Sequence, residues 1–141
     1  PILDRGSTDG REIVPAPDRA RSRWIATRTS RPRFPAPARL SWWLEPAAGL
    51  AVWCPPVRLE LWRGVTNDAE RKTLRHYEAL LPDYDVSSAV WERAIRLADR
   101  GRAAGVTAPL ADLLIFACAK EHGLDLAHDD SHFVQLEQLE G

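Results

Sequence analysis

Between Pro109 and Gly123 the chain reads PLADLLIFACAKEHG, and from Leu113 to Ala119 it runs without a polar break. A helix that is apolar on every side must be covered on most of them. This stretch therefore demands a fold in which one central helix is packed between other layers. Its ends are marked. Thr107 and Pro109 suit a helix start, because proline is favoured in the first turn. Lys120 and His122 place positive charge near the carboxyl end, and Gly123 is a natural stop. LDLAH then reads as a short strand and HFVQLEQL as a final short helix.

Upstream, LAVWC is a short apolar run halted by Pro55-Pro56, the pattern of a buried strand. VRLELWRGV begins a helix. Asn67 followed three residues later by Glu70 resembles a capping box for the next one, AERKTLRHYEALL. That helix sets Leu74, Tyr77, Leu80 and Leu81 on one face and ends at Pro82. Ser87 or Ser88 caps another, with Val90, Trp91, Ala94, Ile95 and Ala98 as its expected buried stripe and Arg93, Arg96, Arg100 and Arg102 outside. Gly105 closes it. Helices alternating with short apolar strands imply an α/β fold, a mostly parallel, short-stranded sheet flanked by helices. Such sheets bind ligands at the carboxyl ends of their strands.

The 141 residues suit one domain, spanning about residues 50–141, behind an atypical Pro/Arg-rich segment, 1–49. Residues 5–47 show no sustained helical or strand period. RARSRWIATR is expected to form one or two helical turns around Trp24 and Ile25, and RPRFPAPAR to be extended. Residues 1–50 hold nine arginines against five acids, whereas the remainder holds ten basic residues against fifteen acids. An acidic second half suits a metal pocket better than a broad nucleic-acid footprint. Cys54 and Cys118 sit in apolar sequence and read as reduced core residues. No apolar run approaches the ~20 residues that span a bilayer, and no secretory pattern opens the chain, so the expectation is a cytoplasmic protein without a membrane segment. The absence of methionine fits a start that is processed, misassigned or cut from a longer chain.

Three acids lie beside strongly apolar stretches: Glu60 in VRLELWRG, Asp112 in PLADLLIFACA and Asp130 in LAHDDSHF. A lone carboxylate there is costly unless paired or metal-bound. Carboxylates that converge repel one another, and a hard divalent cation is the usual way to hold them together. The pattern points to Mg²⁺- or Mn²⁺-assisted chemistry on a phosphate ester. Each acid also has a bland role. Asp112 complements a helix dipole, Asp130 (or its neighbour Asp129) caps a helix, and Glu60 pairs with Arg63 at i+3. The four histidines and two cysteines are not spaced like a zinc site, and the histidines read as surface or capping residues.

Taken in order, AVWCPPVRLELWRG and GVTAPLADLLIFACAKEHGLDLAHDDSHFVQL resemble the PIN-domain family, and within it the VapC-type toxin ribonucleases, over about residues 50–141. The resemblance places Glu60, Asp112 and Asp130 on the family's second, third and fourth acidic positions, as catalytic and metal-holding residues. His132 falls where Asp is common, and is expected to be peripheral. The first acid of the family ends an N-terminal strand. Ile2-Leu3-Asp4 offers such a tail, with Asp4 as the metal ligand and Arg5 in place of the usual hydroxyl residue. Residues 5–47 lack the helices expected next, which fits either divergence or a stretch read in a shifted frame. The resemblance implies a Mg²⁺- or Mn²⁺-dependent endoribonuclease, a cognate antitoxin and a homodimer. The rivals are a degenerate PIN-like protein that binds an antitoxin without cleaving RNA, and a DNA nuclease on the same scaffold.

Overall fold

The structure is a computed structural model that describes the backbone of residues 24–26 and, with side chains, residues 51–128 and 130–141, the side chain of Ala127 apart. Its sheet consists of three parallel strands, β1 (Trp24–Ala26), β2 (Ala51–Val52) and β3 (Asp125–Ala127), in the order β2-β1-β3. Trp24 is opposite Ala51 on one side and Asp125 on the other. Beyond β2 the edge is lengthened by a bridge between Trp53 and Asp83, with the Trp53 N–H donating to Pro82 at 3.2 Å and the Tyr84 N–H to Trp53 at 2.9 Å.

The segment around Trp24 and Ile25 is therefore the middle strand, not the helical turn that local sequence suggested. The reason is tertiary. A lone turn has one or two hydrogen bonds and a nucleation cost, whereas a strand between two partners has its backbone paired on both sides. The expected strand Ile2–Asp4 lies outside the described residues.

Five described helices surround the sheet. The first, α1 (Pro55–Arg63), begins on the two prolines that stop the preceding strand, since proline is suited to the first helical positions. The next, α2 (Asp68–Leu80), is capped by the Asn67 side chain, which accepts the Glu70 N–H at 2.9 Å. The Glu70 carboxylate reaches back not to Asn67 but one residue further, to the Thr66 N–H at 2.8 Å and hydroxyl at 2.9 Å. These bonds, the backbone one foremost, hold the Glu70 carboxyl below its usual range. A third helix, α3 (Ser88–Ala104), starts at the Ser87 cap and ends at Gly105, whose φ of 72° is left-handed. Gly101 is constrained for another reason, because a Cβ there would stand 2.8 Å from the Val106 carbonyl oxygen.

The apolar stretch is α4 (Leu110–Glu121), with Leu114–Ala119 buried without interruption. It is covered by Val57 and Leu61 of α1, by Val90, Ala94 and Leu97 of α3, and by Phe133 and Leu136 of the last helix, α5 (Ser131–Glu140). The buried stripe of α3 is Val90, Ala94, Leu97 and Gly101. Trp91 and Ile95, expected inside, are 46 % and 65 % exposed, and Ala98 is exposed too. Val90, Ala94 and Leu97 define a face about 100° away from theirs. The same correction applies to Leu80, which is exposed although Leu74 of its helix is buried. Cys54 and Cys118 are buried free thiols, as expected.

Helices α4 and α5 run side by side in the same sense. Both begin at the carboxyl edge of the sheet, where Asp112 and His132 touch. Towards their far ends Lys120 pairs with Glu137 at 2.7 Å. There Arg93 of α3, also expected outside, is half-buried between Glu121 at 3.0 Å and Glu140 at 2.8 Å.

Candidate metal centre

The chain leaves β3 at Ala127 and re-enters helix at Ser131, so Asp130 becomes the N-cap of α5. One of its carboxylate oxygens accepts the His132 N–H at 2.9 Å. Asp112 projects from the first turn of α4 towards the same point. The His132 Nδ1 lies 3.1 Å from Asp112 Oδ2 and 3.1 Å from Asp130 Oδ1. One donor atom from each of the three residues falls within 4.8 Å of the others. Asp130 is buried, while Asp112 and His132 keep side-chain exposures of 19 % and 31 %, which leaves the cluster reachable from solvent.

The electrostatics are unbalanced. Burial, and then the adjacent Asp130 carboxylate, push the Asp112 carboxyl above its usual range. His132 opposes this, and the charge of Glu60 adds the weakest upward push. Two converging helix N-termini, α4 and α5, supply partial positive charge to the same place. Although the Nδ1 contacts are short, neither has hydrogen-bond direction, and this buried nitrogen has no hydrogen-bond partner.

Of the sequence candidates, Asp112 and Asp130 come together. Glu60 stands outside that tight group, with its carboxylate 3.1 Å from Arg63 in the same helix. Its charge still reaches Asp112. Asp4 and Asp129 lie outside the described residues. The bland roles also hold: Asp130 caps, Asp112 sits in a first turn and Glu60 pairs with Arg63. They coexist with the cluster because a carboxylate has about four acceptor sites. His132 was expected at the periphery and is instead the third member. The signal for it was its spacing: an N-cap acid and the second helical residue adjoin in space, so whatever follows Asp130 by two positions meets its carboxylate.

Carboxylate oxygens of a buried and a half-buried aspartate, with a histidine nitrogen that has no hydrogen bond, form a donor set that fits a divalent cation. A cation would relieve the repulsion that raises Asp112 and give Nδ1 a partner. Among the described residues, no helix is long and apolar enough to cross a membrane.

The PIN-domain family model matches residues 33–139. The chain belongs to the PIN-domain family. Its PIN fold is similar to that of VapBC2 from Rickettsia felis, bound to a fragment of promoter DNA, with a TM-score of 0.62 and 19 % identity over 80 % of this chain and 92 % of that one. It is also similar to FitAcB from Neisseria gonorrhoeae, at a TM-score of 0.57 and 17 % identity over 81 % and 93 % of the two chains. A third likeness is FitAB bound to the IR36 DNA fragment, at 0.59 and 17 % over 81 % and 90 %. No curated protein sequence matches significantly. At these identities the solved structures establish the α/β PIN fold, in agreement with the expected short parallel sheet flanked by helices.

Proposed function

We propose that this PIN-domain protein is a divalent-cation-dependent endoribonuclease, the toxin of a type II toxin–antitoxin pair, working in the cytoplasm on RNA. The observation that carries the reading is the convergence of Asp112, Asp130 and His132 at the carboxyl edge of the sheet, on a PIN scaffold. The structurally similar VapBC2 and FitAB complexes support the toxin–antitoxin part, with a small cognate antitoxin and a homodimer as the assembly to test.

Asp112 and Asp130 would hold Mg²⁺ or Mn²⁺, with Glu60 and, beyond the described residues, Asp4 as the further proposed ligands. When bound, the cation supplies Lewis-acid charge stabilisation to a phosphodiester undergoing in-line attack by water. The chain itself does the rest. The N-termini of α4 and α5 orient partial positive charge towards an incoming phosphate. The Asp130 carboxylate is fixed by its cap bond, so the centre is built on helix ends and not on a loop tip. The half-exposed side of the cluster gives RNA its approach.

A second reading has specific support. Glu60 is tied to Arg63, and the residues following the middle strand, Thr27-Arg28-Thr29-Ser30, contain no acid. A protein with too few carboxylates would bind an antitoxin without cutting RNA. Purified protein assayed on single-stranded RNA and DNA, with Mg²⁺, with Mn²⁺ and with excess chelator, separates the two. Cation-dependent RNA cleavage lost in Asp112→Asn and Asp130→Asn supports the nuclease. Antitoxin binding with no cleavage under any condition supports the inactive reading, and cleavage that persists in chelator rejects the metal mechanism.

A further inference from the structure

We infer that His132 is a direct nitrogen ligand of the cation at this centre, and that it shifts the site's preference from Mg²⁺ towards Mn²⁺. The inference rests on the metal-dependent reading above and gives His132 a ligand role which that reading does not assign.

Three observations converge on it. First, the spacing suits a shared ion. Neighbouring donors around an octahedral cation with bonds near 2.1 Å stand about 3 Å apart. The His132 Nδ1 is 3.1 Å from an oxygen of each aspartate. Second, the nitrogen is left over. It is buried and lacks a hydrogen bond, although two carboxylates are within reach. A histidine serving only to neutralise those acids would point an N–H along a lone pair of one of them. Third, the tight group is mixed. Among the described residues, the donors that lie within 4.8 Å of one another are Asp112, Asp130 and His132, and Glu60 stands outside them. Two aspartates with one imidazole bring a charge of two, where an all-carboxylate set of three would bring three.

That composition has a chemical consequence. Mg²⁺ is held mainly by charged oxygen and gains little from imidazole, whereas nitrogen donors favour transition ions in the order that rises from Mn²⁺ through Co²⁺. Exchanging one carboxylate for His132 therefore weakens Mg²⁺ more than Mn²⁺. The cap bond to Asp130 uses the backbone N–H of residue 132, which any non-proline residue retains. Substitutions at 132 thus test the donor while keeping the helix start.

The experiment is Mn²⁺ binding to the full chain, read by pulsed electron paramagnetic resonance and by titration calorimetry against Mg²⁺. The wild-type protein should show coupling from a directly bound ¹⁴N that is lost in His132→Ala and His132→Asp. Replacing an outer-shell partner alone moves metal affinity about 10–100-fold. His132→Asp, which restores an all-oxygen set, should lower the Mn²⁺/Mg²⁺ affinity ratio by at least about tenfold. Mn²⁺ bound in an Asp112-dependent manner, with no nitrogen coupling or an unchanged ratio, overturns the assignment of His132 and leaves the metal reading standing. No stoichiometric cation in the wild-type protein, or equal binding by Asp112→Asn, overturns both.

Discussion

The two ends of the α4–α5 pair use acids in opposite ways. At the far end Glu121, Glu137 and Glu140 are each met by a full positive charge, from Arg93 or Lys120, at 2.7–3.0 Å. At the sheet's carboxyl edge Asp112 and Asp130 approach each other with an imidazole between them, beside two helix N-termini. The first arrangement is self-sufficient. The second leaves Asp112 resisting ionisation, and a fold tolerates such a cost where an outside ligand can remove it. Identical side-chain chemistry is thus structural at one end and a candidate for catalysis at the other, and the matching cations make the difference.

The strongest way to break the comparison is to neutralise the acids at the sheet's edge. Loss of an outer-shell partner costs about 10–100-fold in metal-site activity, so Asp112→Asn or Asp130→Asn should reduce RNA cleavage by more than about 100-fold. Initial rates under saturating Mn²⁺ measure it. Of the two, Asp130→Asn tests the charge more cleanly, since asparagine is an equally good N-cap. Next is the matched end. Arg93→Ala strands Glu121 and Glu140 and should cost about 1–3 kcal/mol in urea denaturation, with cleavage per folded molecule little changed. A large fall in that specific activity would show the far end to be part of the active machinery and erase the distinction.

Stability against pH sharpens the comparison further. A carboxyl raised in the folded state is protonated in both states at low pH and costs nothing there. As pH climbs past the unfolded value and through the raised folded one, ionisation penalises the folded state alone. Metal-free Asp112→Asn should accordingly melt higher than wild type at neutral pH, with the gain fading towards pH 4 and below. Added Mn²⁺ should raise the wild-type melting temperature and leave that of the variant nearly unmoved. Glu70 has the opposite sign. Its lowered carboxyl lends stability at neutral pH that disappears as pH falls through the folded value, so Glu70→Gln should destabilise at neutral pH and converge with wild type in acid.

How much of this was legible depended on whether the information is local. The α4 helix was legible because its covering is dictated by its own composition, and its proline, lysine and glycine marked its ends. Asp112 and Asp130 were legible as acids at apolar boundaries. The middle strand was not, because three residues carry no periodic pattern and only pairing on two sides selects their shape. The buried face of α3 was legible in part: Val90 and Ala94 were expected inside and are, but the apolar bulk of Trp91 and Ile95 drew the expected stripe towards them and away from Leu97. The place of His132 beside both aspartates escaped because it depends on the cap geometry of Asp130, which emerges only once the helix start is placed.

The smallest expected effect concerns Glu60, which stands between the two kinds of acid. It has a cation, Arg63, but that partner is 71 % exposed and three residues away on the same helix. Such pairs contribute only about 0.2–0.5 kcal/mol, so Arg63→Ala should hardly change the denaturation midpoint. If Glu60 also serves the metal centre, Arg63 competes with the ion for one carboxylate, and removing the arginine should tighten Mn²⁺ binding slightly while Glu60→Gln loosens it. Calorimetry on the two variants decides the matter through opposite signs. Unchanged affinity in both would assign Glu60 to the matched, structural class and confine the metal centre to the starts of α4 and α5.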